Sequence, residues 1–89
     1  MEHYNEGMTV ILIETTKNGT QSYAYKLPQK MLNENDKGQI ILPKTKNFKI
    51  YSSGFYSRIT GESIDESSLL KDDDIVIQRF LKEYENEYN

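Results

Sequence analysis

Apolar residues alternate or cluster in short blocks up to about residue 60, and from residue 65 onward they recur every three or four positions. The first block, MTVILIETT at Met8–Thr16, holds Val10, Ile11, Leu12 and Ile13 in succession. Continuous apolar character predicts a strand that is covered on both faces or lies centrally in a sheet. Asn18-Gly19 follows, a strong turn signal because both residues tolerate positive φ. QSYAYKL then alternates, with Tyr23, Tyr25 and Leu27 on one side and Ser22, Ala24 and Lys26 on the other. Together these segments predict a β-hairpin.

Pro28 ends the second strand, since proline cannot donate to a ladder. QKMLNENDKG predicts one helical turn before Asn35, Asp36 and Gly38 break it. QIIL reads as a short third strand stopped by Pro43, and Phe48–Tyr51 as a fourth. Ser52-Ser53-Gly54 is expected to turn the chain, and FYSRIT to form a fifth strand ending at Gly61. Ile77, Phe80, Leu81, Tyr84 and Tyr88 share one face of a predicted C-terminal helix. Ser68 or Asp72 is the expected cap, and Asp72–Asp74 suit the positive end of the helix dipole. Glu83, Glu85 and Glu87 sit at its negative end, so the last turn is expected to fray. The β-branched Ile75-Val76-Ile77 gives a strand as the competing reading. The fold class is α+β: an antiparallel sheet of four or five strands with one amphipathic C-terminal helix packed on one face. Residues 1–89 are read as one domain, frayed at 1–7 and 86–89.

Composition narrows the function classes. The chain has 89 residues, 36% hydrophobic and 28% charged, which suits a single folded domain rather than a disordered tail. Cysteine is absent, excluding disulfides, thiolate metal sites and thiol catalysis. No apolar run approaches the ~20 residues that span a bilayer, and MEHYNEGM lacks the pattern of a signal peptide. A soluble, cytoplasmic protein without membrane contact is expected. The net charge of −3 hides a split: residues 1–60 carry eight Lys/Arg and five Asp/Glu, whereas residues 61–89 carry three and nine. Such asymmetry bears on fields and partners rather than on fold.

Candidate chemistry is sparse. His3 is the single histidine, near a chain terminus where an orienting partner is rarely available. Asp72-Asp73-Asp74 lacks the spaced ligands and glycine of a calcium loop, and Gly54 and Gly61 belong to no phosphate-binding motif. No catalytic residue, metal or cofactor is expected. Two binding surfaces stand out instead. The acid-free stretch 37–61 interleaves cations with aromatics, and Lys44, Lys46, Lys49, Tyr51, Tyr56 and Arg58 form a candidate single-stranded nucleic-acid surface. The competing reading is that its strand aromatics fill the core. The C-terminus offers a candidate protein-docking surface of Asp72, Asp73, Asp74, Glu83, Tyr84, Glu85, Glu87 and Tyr88, where tyrosines supply stiff amphipathic contacts. Here the competing reading is an ordinary amphipathic helix with its acids facing water.

Lys37-Gly38-Gln39-Ile40-Ile41-Leu42-Pro43-Lys44 resembles the first strand of the swapped-hairpin DNA-binding domains of the AbrB and MazE antitoxin family, and Leu70–Ile77 looks like that family's second-strand entry. The resemblance implies a DNA-binding regulator and covers sixteen of the 89 residues. It departs in the 25 residues between the two segments and in TKNFKIYSSGF, which stands where the family carries a helix. The principal expectation is a non-enzymatic binding protein, a monomer or homodimer. It would be a small phage- or mobile-element-type inhibitor or adaptor docking on a host protein or nucleoprotein complex. Nucleic-acid binding is the alternative.

Overall fold

A computed structural model describes residues 7–88; the expectations for residues 1–6, His3 among them, and for Asn89 lie outside the described residues. The predicted hairpin is formed by β1 (Met8–Thr16) and β2 (Gly19–Leu27), paired antiparallel from Met8↔Leu27 to Thr16↔Gly19. Its two-residue loop is Lys17-Asn18 rather than Asn18-Gly19, and only Gly19 uses positive φ, at 119°. Thr16 closes the turn, its Oγ1 accepting from the Asn18 N–H at 3.1 Å and donating to the Gly19 carbonyl at 2.9 Å.

After a single 3-10 turn at Gln29–Met31, β3 (Asn33–Glu34) and β4 (Ile40–Ile41) form a separate two-stranded sheet. The chain then enters β5 (Phe48–Ser52), which pairs antiparallel with β1. FYSRIT, read above as a strand, belongs to the helix α1 (Ser53–Thr60). Both ends explain the difference. The Phe55 N–H donates to Ser52 Oγ at 3.1 Å, an N-cap, and Gly61 takes the left-handed conformation that closes a helix, at φ 77°. A two-residue strand β6 (Leu69–Leu70) lies parallel to β2, giving a main sheet of order β5-β1-β2-β6. The strand pair implied by the antitoxin-like segments is not formed: Ile40–Ile41 pair with Asn33–Glu34, and Ile75–Ile77 are helical.

The final element is α2 (Ile75–Tyr88). Its cap is Asp74, neither Ser68 nor Asp72; Asp74 Oδ1 accepts from the Val76 N–H at 2.9 Å. Asp72 instead accepts from the Tyr25 hydroxyl at 2.8 Å. The fold is the expected α+β arrangement, with α2 packed on one face of the sheet.

Strand alternation and α2 together build the core. Val10, Leu12, Tyr25, Leu27, Phe48 and Ile50 form one buried cluster with Val76, Ile77 and Phe80. Phe80 sits at its centre, edge-on to Phe48 with ring centroids 5.4 Å apart. One carboxylate, Glu14, is carried on β1 among the buried residues, 6% exposed. Burial of that charge is compensated by Arg79 of α2, whose Nε and Nη2 reach Glu14 Oε2 and Oε1, each at 3.0 Å.

Candidate docking site

The two candidate surfaces fare differently in three dimensions. On the acidic side, the last turns of α2 lie against the loop between β4 and β5. Glu83 Oε1 accepts from the Asn47 N–H at 3.0 Å, and Oε2 from Asn47 Nδ2 at 2.7 Å. Glu87 Oε2 accepts from the Lys46 N–H at 2.8 Å. The Tyr88 hydroxyl accepts from the Lys44 N–H and donates to the Lys44 carbonyl, both at 3.0 Å. Carboxylates at the unfavourable end of a helix dipole thereby find loop N–H donors, and α2 runs to Tyr88.

These contacts mark Glu83 electrostatically. Partial burial raises its pKa, but the nearby Thr45 hydroxyl and the hydrogen bonds from Asn47 outweigh that effect and hold the carboxyl below the usual range. Thr45 is buried facing it, although its Oγ1 falls outside hydrogen-bonding geometry with any described residue. Tyr84 is half-buried against the core and stacks on Tyr88 at 4.5 Å. Asp72 and Asp74 bond to Tyr25 and Val76. Asp73 and Glu85 are exposed and make no side-chain hydrogen bond among the described residues.

On the basic and aromatic side, Lys49 and Tyr51 project from β5 on the sheet face opposite α2, and Tyr56 and Arg58 lie on α1. Lys44, Lys49 and Tyr51 line one depression of about 310 Å³ together with Leu42, Pro43 and Ile50. Tyr51 and Tyr56 line a second, of about 350 Å³, with Ile13, Phe55, Ile59 and Thr60. The two meet at Tyr51, whose ring stacks on Phe55 with centroids 5.8 Å apart. Lys46 and Arg58 line neither depression. Among the described residues Arg79–Glu14 is the ion pair, so Lys44, Lys46, Lys49 and Arg58 have no acidic partner within 4.0 Å.

Ile13 and Ile59 were not singled out as site residues by sequence reasoning. Nothing in the sequence separates them from core residues; in the structure none of the eight residues of α1 is buried, and Ile59 remains 66% exposed. An apolar groove of this kind can seat a side chain of another molecule, with unpaired cations at one end. No group of three or more His, Cys, Asp or Glu able to hold a metal occurs among the described residues, and no helix there is long and apolar enough to cross a membrane. No protein-family model, curated protein or solved structure matches the chain.

Proposed function

We propose that this chain is a non-enzymatic binding protein that docks on a partner protein through the groove between α1 and the open face of β1 and β5. The supporting observation is exposure: Tyr51, Phe55 and Ile59 form a contiguous apolar patch around that groove, 37%, 43% and 66% exposed. Contiguous apolar surface of this kind marks interaction sites. The acidic candidates support it from the other direction, because Asp72, Asp74, Glu83, Glu87 and Tyr88 already bond within the fold. A small inhibitor or adaptor of the phage or mobile-element type, acting in the cytoplasm on a host complex, fits the chain's size and composition.

Photo-crosslinking in extracts of the source cells tests this reading. A crosslinking amino acid at Phe55 or Ile59 is expected to trap a partner protein, and one at Asp73 or Glu85 is expected to trap none. Crosslinks from α2 alone, or from no position, would overturn it.

A second reading, single-stranded nucleic-acid binding, has one favouring observation: Lys44, Lys49 and Tyr51 line the same depression. It requires a shifted oligonucleotide at ~50 mM salt, where phosphate contacts are strongest.

A further inference from the structure

We infer that the α1 groove accepts an acidic segment of its partner, bearing one bulky apolar anchor; the inference rests on the docking function proposed above. The groove's volume, about 350 Å³, lies at the small end of the ~300–1,000 Å³ range of ligand pockets. An anchoring side chain fills such a space while the rest of the segment follows the rim. Charge on that rim is one-sided. Lys49 is paired in register with Ile13, on the same sheet face, and Lys44 lines the depression adjoining Tyr51. No acid lines either depression. Glu62 lines the neighbouring depression beyond Tyr56, so the field is positive at the Tyr51 end of the groove. The acids of the bound segment belong there, where cations without ion-pair partners attract and orient them.

The two other occupants fit less well. A second copy docked about a two-fold axis would set this patch against itself and oppose its own lysines. A nucleic-acid strand needs ring faces on which bases stack. Tyr51 and Phe55 each turn one face to the other, with an interplanar angle of 22°, and Ile13 and Ile59 offer no ring.

Fluorescence anisotropy with the full chain tests the inference. The probes are a labelled synthetic peptide with a central Phe flanked by Glu and Asp, the same peptide with Lys at every acid, and an oligothymidylate. The acidic peptide is expected to bind at least about tenfold tighter than the basic one, a difference of about 1.4 kcal/mol. The margin should narrow as salt screens the rim. Lys44→Glu with Lys49→Glu should invert the preference, and Ile59→Asp should abolish acidic-peptide binding. All three side chains are exposed, and circular dichroism should be unchanged in each variant. Equal affinity for the two peptides, no binding of the acidic peptide, or binding of the oligothymidylate alone would overturn the inference. If crosslinks from Phe55 and Ile59 persist in any of those cases, docking through the groove survives and only the acidic partner is lost.

Discussion

The two faces of the main sheet carry the same strands but end in opposite states. On one, the 14-residue α2 covers Leu12, Phe48 and Tyr25, and Phe80 is wholly buried among them. On the other, the 8-residue α1 reaches Ile11, 3% exposed, but leaves Ile13 half-covered and Phe55 and Ile59 in the open. Apolar residues are therefore present on both faces, and the length of the covering helix decides which become core. The closed face accounts for stability, and the open face is where the proposed docking would have apolar surface left to bury.

The sharpest way to break this comparison is to truncate one phenylalanine on each side. Phe80→Ala removes a fully buried ring and should destabilise the fold by about 3–5 kcal/mol. Phe55→Ala, at a position 43% exposed, should cost no more than about 1 kcal/mol. Urea unfolding of both variants measures the difference, and equal losses would mean that α1 belongs to the core as fully as α2 does.

A smaller effect concerns how the closed face is fastened. Glu83→Gln weakens the acceptor set that holds Asn47, worth about 1 kcal/mol for a hydrogen bond to a partly exposed group. Its pH dependence carries a sign. The folded-state pKa of Glu83 is depressed, so its contribution is complete above the unfolded carboxylate pKa and is lost as pH falls through the folded value. The stability gap between wild type and Glu83→Gln should thus be full at neutral pH and close in acid. A gap that stays constant from neutral to acidic pH would show that the bond to Asn47 does not depend on the charge.

How much of this was legible in the sequence depended on the range of each interaction. The hairpin and α2 were readable because their apolar periods repeat over enough residues to distinguish two from three and a half. In FYSRIT the pattern is six residues long and includes β-branched Ile59 and Thr60, so strand and helix compete. The deciding features were the cap at Ser52 and the left-handed Gly61, which lie just outside it. β6 is two residues with parallel pairing and has no period to read. The bonds from Glu83, Glu87 and Tyr88 to the Lys44–Asn47 loop span more than thirty-five positions, and nothing local announces them. Lys49, Tyr51 and Tyr56 were visible as a mixed cationic and aromatic set. Ile13 and Ile59 were not, because an apolar side chain reads as core until the covering helix proves too short.

The smallest expected effect gives the finest test of the open face. Ile59 is 66% exposed in the last turn of α1, so replacing it with Asp removes little buried apolar area. Asp close to a helix C-terminus is opposed by the dipole by a few tenths of a kcal/mol. The net change in unfolding free energy should stay within about 0.5 kcal/mol, while a buried charge in the groove should eliminate docking. Stability and binding would then separate at one residue, as expected of a surface that takes part in association and not in folding. A loss above about 2 kcal/mol would instead place Ile59 in the core and make the groove a feature of folding.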